Sequence, residues 1–331
     1  MEKNLFIGID VSKLVLDATA LFPSNEHFHR QFKNSKAGFN QLLKWVGKLN
    51  AKEGHGLVFG FEDTGVYSVG LGRFLSEKGL RFVSENAYRI RRSMGIVRGK
   101  DDQADSLMIA RYLKRNLDEL KFGHAAPDLL LELQQLSSQR ERLLKEKSAH
   151  KTRIKEMRVL EGCLDMRFLL KVEKEMVALL DRKLREVQAE INRRIAAQRE
   201  LREQKELLCS VPGVGEQTAN QMLVLTRGFT RFPCWRKFSC YAGLAPFRYS
   251  SGTSVKGRTK VSKIANKKIK ALLTMGALTS IKAGNEYRSY YERKTAEGKH
   301  PMAVLNAIKN KIVSRMFAVI ERNMPYVCLQ S

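Results

Sequence analysis

"NLFIGIDVSKLVLDATALF", residues 4–22, runs an apolar strand straight into an aspartate and starts a second strand after a short polar link. Leu5, Phe6, Ile7 and Ile9 leave no polar alternation, as expected of a strand buried on both faces. Asp10 stands where that run ends. VLDATALF (15–22) and HFHRQF (27–32) follow at strand length, with Ser24, Asn25 and Glu26 as the turn between them.

Further along, AGFNQLLKWVGKL (37–49) places Phe39, Leu42, Leu43, Val46 and Leu49 at helical spacing. GLVFGFE (56–62) reads as a fourth strand ending in Glu62. A helix over about 66–79, a strand at RFVSEN (81–86) and a helix from about 102 to 116 come next. Three early strands followed by alternating helices and strands predict an α/β sheet with an antiparallel start and parallel additions. That is the element order of an RNase H-like fold.

In this order the first and fourth strands are neighbours, so Asp10 and Glu62 meet at one edge of the sheet. Asp102 and Asp105, three residues apart at the start of a helix, share a face. Four converging carboxylates repel one another unless cations neutralise them. Mg²⁺ suits such hard oxygen ligands, and a pair of ions about 3.5–4 Å apart can hold the two oxygens of a phosphoryl transfer. The bland reading stands beside it: a strand-end aspartate as a turn residue, and Asp102 and Asp105 as caps opposing a helix dipole. Asp63 and Asp101 adjoin two of the proposed ligands, and a small shift of boundary would exchange them. Asp17 falls in mid-strand and is expected to face outward.

The chain carries 60 Lys+Arg against 34 Asp+Glu, a net charge of +26. A neutral-metabolite enzyme has no need of that excess; it points to a polyanion. No apolar run approaches the roughly 20 residues of a membrane span, so an anionic membrane is the weaker partner. MEKNLFIGID lacks the layout of a secretory signal, which makes the cytoplasm the expected compartment. The five cysteines, Cys163, Cys209, Cys234, Cys240 and Cys328, form no C-x-x-C pair. Neither a zinc knuckle nor a disulfide framework is indicated, and mostly buried, reduced thiols are expected.

From Pro127 to Pro212 there is no proline, and Gly162 is the only glycine. Leu169, Val172, Met176, Leu180, Leu184, Val187, Ile191 and Ile195 recur at steps of three and four. A weaker pattern runs through Leu133, Leu136 and Leu143. With Glu161-Gly162-Cys163 as a break, two long helices of coiled-coil type are expected, most simply as an antiparallel hairpin. Val211-Pro212-Gly213-Val214-Gly215 is then a tight turn between helical stretches. It reads either as a helix-hairpin-helix, whose N–H groups hold a phosphate, or as a plain glycine-rich connection. Two further helices, about 262–283 and 301–322, close the chain.

Between Glu216 and Glu286 there is no acid at all. Arg248, Lys256, Arg258, Lys260, Lys263, Lys267 and Lys268 all lie there, with aromatic residues interleaved. This reads as a phosphate-contacting surface. FRYSSGTSVKGRTK (247–260) is the densest part and is expected to be a loop. From its residues alone a serine in it is a phosphate-contacting hydroxyl, because no His or Lys dyad stands beside it.

GIDVSK (8–13), FEDTGVY (61–67), KDDQADSLMIARYL (100–113), VPGVGEQTA (211–219) and YAGLAPFRYSSGTSVKGRTKVSKIANKKIK (241–270) together resemble one family. It is the DEDD transposases of insertion sequences, which include bridge-RNA-guided recombinases and are related to the Piv DNA invertases. The likeness runs over nearly the whole chain in the family's order. It implies a RuvC-like domain at 1–126, a coiled-coil helical hairpin at 127–206, and a mostly helical transposase domain at 207–331. It also implies Asp10, Glu62, Asp102 and Asp105 as Mg²⁺ ligands. After G-L-x-P the family's nucleophilic serine falls on Ser251, with Ser250 beside it. Asp101 stands where threonine is common in the family, and Ser106 where alanine is.

What the resemblance implies is a recombinase acting on target and donor DNA, guided by a structured RNA. Its sites would be composite across a homodimer, within a tetrameric synapse. Two other activities stay open: a RuvC-like nuclease that hydrolyses without rejoining and needs no Ser251, and a non-catalytic nucleic-acid scaffold indifferent to the carboxylates.

Overall fold

The computed structural model describes residues 4–51, 53–63, 65–94, 102–123, 128–251, 255–261 and 265–327, with the backbone alone at 94, 102, 248–251 and 255–260. The chain divides into two compact units, Met1–Ala126 and Pro127–Ser331.

The first unit holds β1 (Asn4–Val11), β2 (Val15–Leu21), β3 (His27–Lys33), α1 (Lys36–Asn50), β4 (Gly56–Glu62), α2 (Val66–Glu77), β5 (Phe82–Glu85), α3 (Ala87–Met94) and α4 (Asp102–Arg115). Its sheet has the order β3-β2-β1-β4-β5. β1 runs antiparallel to β2 and parallel to β4, and β4 runs parallel to β5. This mixed, RNase H-like sheet is the architecture its sequence pattern predicts.

Burial explains why β1 is apolar on both sides. Leu5, Ile7 and Ile9 pack with Phe39 and Leu42 of α1 and Leu71 and Leu75 of α2. Phe6 points the other way, into a cluster with Val58, Ile90, Ile109 and Leu113. On that second face Gly8 lies beside Gly60 in register. A Cβ on Gly8 would stand 2.2 Å from the Ser106 carbonyl and 2.3 Å from the Ala110 nitrogen; one on Gly60 would stand 2.6 Å from the Leu113 side chain. The two glycines therefore make a flat seat for α4, which meets it backbone to backbone at Gly8 and through the Leu113 side chain at Gly60. A buried 2.7 Å hydrogen bond between the Thr19 and Ser106 hydroxyls locks the seat. The far end of α4 is tied by Lys114, whose ammonium donates to the Pro23 carbonyl and the Asn25 amide oxygen, each at 2.7 Å.

The second unit opens with α5 (Asp128–Leu160) and α6 (Arg167–Ala197), and the turn between them holds the expected break. Glu132 pairs with Arg194, Lys147 with Asp181 and His150 with Glu173, so the two helices run antiparallel. The stripe differs in detail from expectation. Leu170, Leu180, Ile191 and Ile195 are buried, whereas Leu169, Val172 and Met176 are exposed. Near its base the hairpin joins the main helical core, with Leu133 and Ile195 in one cluster with Phe238, Ile308 and Met316.

That core is built by α7 (Arg199–Cys209), α8 (Glu216–Thr226), α9 (Trp235–Tyr241), α10 (Lys267–Lys282), α11 (Glu286–Ala296) and α12 (Pro301–Arg322). Between α9 and α10 lies an antiparallel ribbon, β6 (Pro246–Ser251) and β7 (Val255–Val261), with a register shift between Phe247 and Tyr249. The stretch 247–260, expected to be a loop, is thus largely strand. Cysteine burial also departs from expectation: Cys163 and Cys209 are exposed, and Cys234 and Cys240 half-buried, all as free thiols. Among the described residues no helix is long and apolar enough to cross a membrane.

Substituting Gly8 by alanine is expected to cost about 1–3 kcal/mol, because backbone must move to admit the methyl group. Gly47 lies on α1 with open space around it, so Gly47→Ala should stay within about 1 kcal/mol of the parent and on the stable side. Urea unfolding of the two variants tests the seat; equal midpoints would show that α4 does not depend on it.

Candidate active site

The flat seat decides where the acidic side chains go. Asp10 follows Gly8 by two residues on β1, so it falls on the same face of the sheet. Glu62 follows Gly60 in the same way on β4. Asp105 precedes Ser106, the α4 residue pressed onto Gly8. Each of the three is half-buried.

The charges of Asp10 and Asp105 register on Glu62. Burial raises the Glu62 carboxyl above its ordinary value of 4.5, the Arg91 guanidinium pulls it back, and the Asp10 and Asp105 carboxylates add to the rise. Asp102 opens α4, and its side chain lies outside the described residues, as do Asp101 and Lys263. Among the described residues no three His, Cys, Asp or Glu groups close into a metal-holding cluster. Asp10, Glu62 and Asp105 therefore share a field without forming a complete coordination shell. The donor set is nonetheless of one kind, carboxylate oxygen without sulfur or imidazole, which is the chemistry of Mg²⁺.

Asp63 takes a different role from its neighbour. It is exposed and accepts a 3.3 Å hydrogen bond from the Gly65 N–H, closing the turn before α2.

Sequence reasoning misplaced one polar group at this edge and missed two more. Asp17 was expected outward, yet it is 6% exposed and sits directly opposite Asp10 in the β1–β2 register. The Gln31 amide donates to it at 3.3 and 3.4 Å, and His29 Nε2 stands 3.3 Å away without the alignment of a hydrogen bond. Glu85 is the β5 neighbour of Glu62. It accepts from the Tyr112 hydroxyl at 3.1 Å and from Arg89 at 3.0 Å. Burial, with Glu85 alongside, pushes the Tyr112 phenol up to about 12. Arg91 comes from α3, which the sequence reading omitted; the basic run Arg89, Arg91, Arg92 was the available signal.

In the second unit Ser250 and Ser251 hold the last two positions of β6, paired with Lys256 and Val255. Arg248, Lys256, Arg258 and Lys260 lie along the same ribbon; their side chains lie outside the described residues. Lys267 and Lys268 open α10 and are exposed, and Lys268 pairs with Glu141. Other basic residues of the acid-free stretch stack on its aromatics: Arg231 lies over Phe232 and Tyr241, and Arg236 over Trp235. The turn at Val211–Gly215 does join two helices, but it is packed inward. Gly213, at φ 84°, meets Gly276 of α10 so closely that a Cβ would fall 2.7 Å from the Gly276 carbonyl.

Comparison with known proteins gives this geometry its class. A transposase family model, of the IS110 DEDD type, matches residues 7–163. A second, described as the IS116/IS110/IS902 transposase family, matches residues 205–292. The chain is thus a transposase-class enzyme, with the carboxylate edge in the region covered by the first model and the serine ribbon in that covered by the second.

More narrowly, it belongs to the IS110/IS900-type DEDD transposases and is related to the pilin gene-inverting proteins. The pilin gene-inverting protein of Moraxella bovis is 25% identical over 327 residues, 97% of each chain. An uncharacterized 43.6 kDa protein of insertion element IS110 from Streptomyces coelicolor is 37% identical over 115 residues, 34% of this chain and 28% of that one. A 42 kDa protein of insertion element IS900 from Mycobacterium paratuberculosis is 29% identical over 158 residues, 47% of this chain and 38% of that one.

A carboxyl whose folded pKa lies above its unfolded value costs stability as pH rises through the folded value. Glu62→Gln is therefore expected to raise the metal-free melting temperature at neutral pH, with the gain vanishing below pH 4.5. Saturating Mg²⁺ should stabilise the parent and reverse the order, since a ligand bound only by the native state raises Tm. Thermal scans across pH, with and without Mg²⁺, measure both. A gain that persists well below that pH would assign the effect to something other than Glu62.

Proposed function

We propose that the protein is a DNA recombinase that cuts and rejoins strands, with Asp10, Glu62, Asp102 and Asp105 holding Mg²⁺, Ser251 as the nucleophile, and a structured RNA as guide. The observation that carries this reading is the shared electrostatic field of Asp10, Glu62 and Asp105 at one sheet edge, in a chain of the transposase family. The finer fold assignment goes with it: a RuvC-like domain at 1–126, a coiled-coil domain at 127–206, and a transposase domain at 207–331 with a helix-hairpin-helix-like turn.

Bound at that edge, Mg²⁺ would supply Lewis acidity toward a phosphodiester. The protein's own groups do the rest. The Ser251 hydroxyl gives up its proton and forms a bond to phosphorus as the bond to a DNA oxygen breaks; that oxygen leaves with a proton. Attack by a DNA hydroxyl on the phosphoserine reverses the exchange and frees Ser251. The phosphodiester's energy is conserved, so strands rejoin without hydrolysis. Gly252 after Ser251 permits a tight backbone turn, which favours Ser251 over Ser250. The ribbon's Arg248, Lys256, Arg258 and Lys260 would hold flanking phosphates. Relatives named for inverting a pilin gene support rejoining over simple cutting.

The net charge of +26 supports both nucleic-acid partners. Self-association is supported by the outer end of the hairpin, where Val159 is 81% and Phe168 73% exposed, with Leu160, Leu164 and Leu169 also open. An apolar stripe of this kind is costly to leave in water and fits a second copy of the same hairpin.

One reconstituted recombination assay tests the chemistry. Asp10→Ala is expected to lower cleavage by about a hundredfold or more while DNA binding persists. Ser251→Ala should bind DNA but trap no covalent adduct on a denaturing gel, and Ser250→Ala should keep much of both. Nuclease treatment of the protein should remove recombination until RNA is returned. Cleavage that survives in Ser251→Ala would leave a hydrolytic nuclease; full activity of Asp10→Ala would leave only a scaffold.

The outer hairpin is tested separately. The purified protein should sediment as a dimer or larger, and the double variant Val159→Asp, Phe168→Asp should shift toward monomer. A parent protein that is monomeric with and without nucleic acid would remove the dimeric site.

A further inference from the structure

Three consecutive residues after α8 hold left-handed backbone: Arg227 at φ 53°, Gly228 at 62° and Phe229 at 64°. Two of the three carry side chains, for which this region is costly, and such a turn persists only where its surroundings over-determine it. Here they do. The Thr226 carbonyl accepts from the Arg231 N–H at 2.9 Å, and the Thr226 hydroxyl from the Phe229 N–H at 3.0 Å. The Phe229 ring meets Phe317 edge-on, with centres 5.0 Å apart.

The turn delivers Arg231 to a fixed place. Its guanidinium lies 5.3 Å from the centre of the Phe232 ring and 5.2 Å from that of Tyr241, and the residue is exposed. A ring face attracts the charge of a guanidinium without using up its fork of N–H donors. Lys237, also exposed, precedes Tyr241 by four residues on α9 and so lies on the same side of that helix. Asn266 donates to the Tyr241 carbonyl through its N–H at 3.0 Å and to the Tyr241 hydroxyl through its amide at 2.9 Å. That double tie brings the next residue, the exposed Lys267, to the same neighbourhood.

Three cations thus gather around one tyrosine, and among the described residues no carboxylate pairs with any of them. A solvated surface normally mixes signs; a one-sign cluster fits an anion from outside. Tyr241 closes α9 and Asn266 caps α10, so the cluster lies at the two helix ends from which the β6–β7 ribbon springs. We propose that Arg231, Lys237 and Lys267 hold a backbone phosphate of a nucleic acid at the root of the ribbon. The arginine gives a two-pronged grip, and the lysines act as point charges. The assignment rests on the reading of the chain as a nucleic-acid enzyme, but not on the carboxylates, on Ser251 or on the ribbon's own basic residues.

Fluorescence anisotropy of the full chain in EDTA, repeated across salt concentrations, tests it on three labelled probes: single-stranded RNA, single-stranded DNA and duplex DNA. Arg231→Met keeps an apolar stem over the rings and removes the charge. It is expected to bind about tenfold more weakly. The slope of log affinity against log salt should become shallower by about 0.7 on a single strand or about 0.9 on a duplex. Lys237→Met should change the slope likewise, and it decides the matter if circular dichroism shows that Arg231→Met has lost helix content. The probe on which the slope changes names the strand held there. EDTA keeps Mg²⁺ out, and the ribbon contributes equally to parent and variants, so failure of the recombination chemistry leaves this readout untouched. Unchanged slopes on all three probes would overturn the proposal and leave Arg231 a cover for two rings. So would an equal change in Arg288→Met, which takes the same charge from α11, where Arg288 pairs with Glu292 at 2.9 Å; the effect would then belong to net charge alone.

Discussion

The first unit depends on the approach of α4 to β1 at Gly8. A helix normally stands off a sheet by the thickness of two layers of side chains. Here the Ser106 carbonyl and Ala110 nitrogen come so near the strand that a single methyl group would collide with both. The close approach brings Asp105 toward the strand-end acids, where Glu62 feels both it and Asp10. Three like charges at one edge oppose folding, and the dry packing of Phe6, Val58, Ile109 and Leu113 below them offsets that cost. The Thr19–Ser106 hydrogen bond adds register: it fixes which turn of α4 rests on Gly8. This also accounts for a serine at 106 where alanine would fit equally well for size.

What the sequence made legible follows from burial. β1 and β4 are covered on both faces, so their apolar runs announce them, and the acids at their ends stand out against that background. Asp17 was misread because period-two reasoning depends on knowing which face is solvent, and here both are covered. α3 is short and basic, with Ile90 as its fully buried residue, too little to show a period. The β6–β7 ribbon was missed for a related reason. Its residues are mostly Ser, Thr, Lys and Arg, so backbone pairing holds it without an apolar alternation to reveal it. The hairpin stripe was placed one residue off at its outer end, at Leu169 instead of Leu170. A seam is set by both helices, and the pattern in α5 is too weak to fix it.

The glycine turn at 211–215 shows how one motif can carry two explanations. Sequence alone offers phosphate binding or a plain connection. The structure gives Gly213 a reason independent of any ligand, since its φ of 84° and its contact with Gly276 each exclude a side chain. Val211 and Val214 on either side are buried. The glycine is therefore accounted for by packing, without any phosphate ligand. The one-sign charge of 217–285 needs similar division. Arg231 and Arg236 lie over aromatic rings of their own unit, where the guanidinium covers apolar surface as well as carrying charge.

The same unit sets a polar network where an all-apolar junction would have been simpler. Asn192 of α6 receives Lys205 of α7 and Asn220 of α8, and Gln188 reaches it from one turn away. Lys205 goes on to Glu216 at 3.1 Å. Apolar packing alone would tolerate a slip of the hairpin by one turn, since leucine and isoleucine fill similar space. An amide that must match donors to acceptors does not tolerate it, because a slip leaves several polar groups buried and unpaired. The network thus fixes the base of the hairpin in register against α7 and α8. That fixed base sets the direction of the outer half, where the two helices hold each other through His150 and Glu173 while Val159 and Phe168 stand uncovered.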